Sequence, residues 1–234
     1  MRAETVIDPL QSPGGIALRT AEPMATDWCV ITGPPSAGKT SVLDALAARG
    51  HRIVGETARA HIETLGKSPA EIAADAALQV EIQQAIANRQ HVVENGLHPL
   101  QPMFLDRALP DSLAYFRRLR IPDGDMIQRA GTYRYRHIFY LEGLPLAQDG
   151  LRFEDDGEAH ALGEQIIGAY VSLGYAPVRV PAFAELPPSQ SIARRVMFLL
   201  AHREGRVQRQ GPSIKGQSCA TGLNNGPGAA VRES

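Results

Sequence analysis

Eight residues constrain this chain more than any others: Gly33-Pro34-Pro35-Ser36-Ala37-Gly38-Lys39-Thr40 fits G-x-x-x-x-G-K-[ST] at every fixed position. Gly33 and Gly38 let the backbone take dihedrals closed to other residues and come close to an anion. Amides of the loop and of the next helix's first turn, through Ser41, then point at that anion, and the helix dipole adds to the attraction. Lys39 supplies positive charge to the β- and γ-phosphates, and the Thr40 hydroxyl is a hard oxygen ligand for Mg²⁺. The expected ligand is a purine nucleoside triphosphate: ATP as the commoner donor, with GTP as the alternative.

Such a loop functions only between a strand and a helix, and both neighbours have the right pattern. The apolar run WCVIT at 28–32 reads as a buried strand, and Val42, Leu43, Leu46 and Ala47 recur at helical spacing after Gly38. The alternation continues with strand candidates at 51–55, 102–106, 137–142 and 178–180. Ser68, Pro69 and Glu71 form a capping-box start for a helix reaching about His91. Later helices carry Leu162, Ile166, Tyr170 and Leu173 on one face, or span about 189–203. Short apolar strands alternating with amphipathic helices predict an α/β fold: a P-loop NTPase three-layer sandwich around a mostly parallel sheet, kinase-like, with an arginine-bearing lid.

The expected domain covers residues 26–204. Residues 1–25, with Pro9, Pro13, Gly14, Gly15 and Pro23, and residues 205–234, rich in glycine and small polar side chains, read as disordered segments. Met24, just before the first strand, is expected as an alternative to Met1 for the translation start. The net charge of −1 argues against a nucleic-acid coat or an anionic-membrane binder. The absence of an apolar run near 18 residues argues against a membrane span. Cys29 and Cys219 sit in unlike contexts and give no disulfide framework, so a cytoplasmic setting is expected. The seven histidines show no metal-ligand spacing. Lys39, Lys67 and Lys215 are the only lysines among 24 basic residues, which sharpens the meaning of a lysine in the loop.

Chemistry requires further groups at the carboxyl ends of neighbouring strands, where ligands of open α/β sheets bind. Glu56 follows the second strand candidate, and Asp106 with Arg107 follows the third. Asp106 is expected beside Thr40 as a magnesium holder. Arginine is dense from Arg117 to Arg136, and a lid bearing guanidinium groups stabilises a transferring phosphoryl group. Arg129 and Arg134, in the stretch feeding the fourth strand, are the candidates there, and Arg152, alone among acids, is another phosphate-binding candidate. Arg194 and Arg195 are candidates to stack on a nucleotide base.

Taken together, GPPSAGKTSVLDALAARG, HRIVGETAR, FLDRALPDSLAY, HIFYLEGLP, DGLRFEDD and YVSLGYAPVRVP resemble the AAA-type predicted ATPases related to ribosylnicotinamide kinase. The resemblance spans roughly residues 27 to 203. It implies a kinase-like fold, purine nucleotide binding and phosphoryl transfer to a small acceptor. By the same resemblance Asp106 and Arg107 sit beside magnesium and phosphates, Glu56 faces the acceptor as general base, and Asp111 fixes the loop or the acceptor. Two functions follow as expectations: an ATP-dependent phosphotransferase acting on a small, nucleoside-like hydroxyl compound, or a regulatory ATPase that binds and hydrolyses nucleotide without such an acceptor.

Overall fold

The computed structural model describes residues 22–143 and 156–205. The expectations for residues 1–21, for 206–234 and for Arg152 lie outside the described residues. In chain order the elements are β1 (Met24–Ala25), β2 (Trp28–Thr32), α1 (Lys39–Ala47), β3 (Ile53–Val54), α2 (Thr57–Leu65) and α3 (Pro69–Ala74). They continue with α4 (Ala76–Asn95), β4 (Met103–Asp106), α5 (Leu109–Arg118), α6 (Gly124–Ala130) and β5 (Tyr133–Arg134). The last are β6 (His137–Leu141), α7 (Asp156–Ser172), β7 (Val178–Val180) and α8 (Pro188–Arg203).

Five strands form one parallel sheet in the order β3-β4-β2-β6-β7. β2 lies at its centre, and all five of its residues are buried. Successive side chains of a strand leave opposite faces, so β2 serves two cores at once. Trp28 and Val30 join Leu105, Ile138 and the apolar faces of α5, α6 and α7. Cys29 and Ile31 join Phe104, Phe139, Leu141 and residues of α1 and α8. The result is the expected three-layer sandwich. Cys29 is core, as anticipated, and burial pushes its thiol up to about 11.

Two local expectations are corrected. The helix opened by Ser68 does not run on to residue 91. Its capping box forms, but Asp75 takes an extended conformation and its side chain accepts from Leu78 N, ending α3 and capping α4. The segment expected to lack structure through residue 25 is also too long. Met24 and Ala25 pair in parallel with Tyr133 and Arg134, an edge too short to show periodicity in sequence.

Candidate functional site

At the carboxyl end of β2 the chain enters the glycine loop, and the backbone there explains the residue types. Gly33 has φ 143°, and a Cβ placed on it would come 2.5 Å from the Leu141 carbonyl oxygen. Gly38 has φ 76° immediately before α1. Ser36 and Arg107 are two of the four non-glycine residues at positive φ among the described residues, at 61° and 67°, so some backbone strain is held at this edge of the sheet. Lys39 Nζ donates to the carbonyls of Gly33 at 3.2 Å and Pro34 at 2.8 Å, wrapping the loop on itself. Burial and the charge of Arg107 push Lys39 down to about 7, against the pull of Asp106, Glu56 and Asp111.

Strands β3 and β4 deliver the second set of groups. The amide of Arg107 donates to Ile31 O at 3.0 Å, locking the turn after β4 to β2. Its guanidinium bridges two carboxylates: Nε lies 3.2 Å from Glu56 Oε1 and Nη1 lies 2.9 Å from Asp111 Oδ1. Asp111 is saturated. It accepts from Thr32 Oγ1, Arg107, Ala108 N and Tyr170 OH, which ties the end of β2, the start of α5 and α7 together. Glu56, at the start of α2, is partly exposed, and among the described residues its side chain's hydrogen-bond partner is Arg107.

Asp106 ends β4 and is buried, yet its Oδ1 has no hydrogen-bond partner among the described residues. Burial first, then the nearby Glu56 charge, push it up to about 6, opposed by Lys39 and Arg107. A buried carboxylate oxygen without a donor suits a hard cation. Thr40 and Asp106 wall the same cleft of about 260 Å³, so these residues fit Mg²⁺. Among the described residues no group of three or more His, Cys, Asp or Glu side chains stands ready to hold an ion alone. Oxygen ligands from phosphate and water would complete the shell.

A cavity of about 800 Å³ opens beside the loop, between α2, α4 and α5. Ser36 through Ser41 line it from one side, and Glu56, Gln83, Arg107 and Tyr115 line it from the other. That volume falls within the ordinary range for small-molecule sites.

Other expectations fail here. Arg129 and Arg134 are not near the loop. Arg129 binds Asn88 and Asp125, and Arg134 donates to Leu173 O and Gly174 O while covering the Tyr175 ring. The reason is topological: a parallel sheet forces the chain between β4 and β6 back to the amino ends of the strands. Residues 119–136 therefore lie at the edge away from the glycine loop, and no lid over that loop is built from them. Arg195 does not stack on a base. It is 1% exposed and donates to three backbone carbonyls.

Sequence reasoning missed a buried polar chain behind the cavity. Thr57 Oγ1 donates to Gln90 Oε1, and Gln90 Nε2 to Glu94 Oε1. Glu94 also accepts from Leu109 N at 3.0 Å and Tyr135 OH at 2.7 Å, joining α2, α4, α5 and the segment before β6. Nothing in its local sequence marks Glu94, because its partners lie 4, 15 and 41 residues away.

Comparison with known proteins agrees with this architecture. A family model described as AAA domain matches residues 28–185. Two structures of NadR protein, one with NR and one with NAD and AMP-PNP, match at TM-scores of 0.58 and 0.56, each at 15% identity. They cover 81% and 80% of this chain, which spans only 53% and 52% of theirs, about half their length. Deoxyadenosine kinase from M. mycoides, with dCMP and a flexible dCDP bound as products, matches at a TM-score of 0.53 and 13% identity. There the overlap covers 77% of this chain and 100% of the other. At such identities these likenesses concern the fold alone. No curated protein sequence matches this chain. Among the described residues, no helix is long and apolar enough to cross a membrane.

Proposed function

We propose that this chain, which belongs to the AAA domain family, is a phosphotransferase that moves the terminal phosphoryl group of ATP to a hydroxyl of a small, nucleoside-like metabolite. The observation that carries this reading is the shared cavity. The phosphate loop forms one wall, and Glu56 and Arg107, tied to each other, form another. An anion site beside an anchored carboxylate, separated by room for a second molecule, is what transfer to an acceptor requires.

The residues divide the work. Loop amides from Ser36 to Ser41 hold the phosphates, and Lys39 exchanges its loop carbonyls for phosphate oxygens. Thr40 and Asp106 would hold Mg²⁺, which, when bound, neutralises phosphate charge. Arg107 orients Glu56 and places its own charge beside the phosphoryl group. Glu56 takes the proton of the acceptor hydroxyl as the new O–P bond forms and the bond to the ADP oxygen breaks. Ile62, Ile86 and Tyr115 offer an apolar wall, and Gln83 a polar group, for the rest of the acceptor.

The bound ligands named for the neighbours, NR in one and deoxynucleotides in the other, favour a nucleoside-like acceptor. A screen for magnesium-dependent ADP release across nucleosides, vitamins, sugars and amino alcohols tests the reading, with Lys39→Ala as the blank. ADP release that requires one acceptor supports the kinase. Release indifferent to every acceptor supports the regulatory ATPase instead.

A further inference from the structure

The arginine on α8 that sequence reasoning offered to a nucleotide base has a different placement. The Arg195 guanidinium uses all three of its nitrogens on backbone carbonyls. Nη1 donates to Ala37 O at 2.7 Å, Nη2 to Glu142 O at 3.1 Å and Nε to Pro181 O at 3.1 Å. Those carbonyls belong to the phosphate loop, to the residue after β6 and to the residue after β7. A single side chain thus joins three neighbouring strand exits from beneath.

The geometry has a cause in the loop itself. Amides that turn toward an anion leave the loop's carbonyls turned away from it, and a buried carbonyl still needs a donor. Ala37 is fully buried, so water does not serve its oxygen. The planar fork of an arginine reaches three separated acceptors at once; the compact ammonium of a lysine does not. Arg195 also forms no ion pair among the described residues. Its charge is shared among carbonyl dipoles and remains to attract an anion held on the other side of the loop.

We infer that Arg195 is a positioning residue for nucleotide binding: it holds the phosphate loop in its anion-binding shape and lends it positive charge from behind. This rests on the reading of the loop as a nucleotide site. It also makes α8, the last helix of the described chain, part of the site at a place no local motif marks.

The test measures Mg·ATP affinity and thermal stability together for the full chain and three variants: Arg195→Gln, Arg195→Lys and Leu199→Ala. Leu199 is a fully buried α8 residue in the core beneath the loop, so it controls for loss of helix packing alone. The expected result is an affinity loss of roughly 10- to 100-fold for Arg195→Gln. Arg195→Lys should recover part of it through charge, and Leu199→Ala should melt earlier yet bind as wild type. If Arg195→Gln does not fold, Arg195→Lys carries the test: binding more than twofold weaker supports the inference. Binding within twofold of wild type in the folded Arg195 variant overturns it. So does an equal affinity loss in Leu199→Ala, which would reduce Arg195 to a general prop. A wild-type chain that binds no nucleotide fails at the earlier step and defeats the functional reading itself.

Discussion

Arg107 Nε and Glu56 Oε1 lie 3.2 Å apart although 51 residues separate them in sequence. The contact joins the exits of β3 and β4 and aims a carboxylate into the cavity that also faces the phosphate loop. The rest of Arg107 is held by Asp111, which in turn takes hydrogen bonds from Thr32 and Tyr170. Position at the site is therefore set by a buried lattice of hydrogen bonds rather than by loop chemistry.

Glu56→Gln keeps the size of that side chain and removes its basicity. With an acceptor found by the ADP-release screen, kcat is expected to fall by about 100-fold or more, the usual contribution of a positioned base. The KM for ATP should hardly move, because Glu56 does not hold the phosphates. Steady-state kinetics of both substrates check this, and an unchanged kcat removes Glu56 from the proton-transfer role.

Lys39 gives a pH-dependent signature of nucleotide binding. Its folded value of about 7 leaves it largely neutral at pH 8 in the free chain, held down by burial and Arg107. A bound polyphosphate restores its charge, so binding at pH 8 should take up protons. Asp106, near 6, is already ionised at that pH and releases none. Titration calorimetry in buffers of different ionisation enthalpy measures the uptake, which should diminish toward pH 6; binding heats at pH 8 that do not depend on the buffer would remove Lys39 as the titrating group.

Glu94 should weaken the fold as pH rises. Burial pushes its carboxyl from 4.5 up to about 7, despite donors from Tyr135, Gln90 and Leu109. Between those two values the folded chain binds a proton the unfolded chain has lost, so stability from this group is full below about 4.5 and falls as pH approaches 7. The effect is on the order of a few kcal/mol. Glu94→Gln keeps the acceptor for Gln90 and Leu109 and presents an amide to Tyr135. It should match wild type near pH 5, exceed it at pH 8 and flatten the curve; thermal melts across that range provide the comparison.

Gly33→Ala should damage both fold and binding. The added methyl would meet the Leu141 carbonyl at 2.5 Å from a backbone conformation that side chains rarely take. A cost of roughly 1–3 kcal/mol is expected from the strained backbone alone. The melting temperature and Mg·ATP affinity should fall together; a variant as stable and as tight as wild type would mean the loop can relax.

What was legible in sequence was what local pattern encodes. The loop from Gly33 to Thr40, the apolar strands and the carboxylates at strand ends all follow from spacing within a dozen residues, and the sheet follows from their alternation. Arg129 and Arg134 were misplaced because residue type was weighed without the return path a parallel sheet imposes. Following the chain from β4 through α5 to β6 would have put them at the far edge. Arg195 and Glu94 left no such trace. Arg195 reaches carbonyls 14, 53 and 158 residues away, and backbone acceptors carry no sequence signal.

Direct titration of the purified chain with Mg·ATP and Mg·GTP, with Lys39→Ala in parallel, bears on the phosphate loop before any acceptor is known. Saturable submillimolar binding of at least one nucleotide, lost in Lys39→Ala, is the expected result. Binding of neither, or binding untouched by the lysine substitution, would contradict a nucleotide held between Gly33 and Thr40.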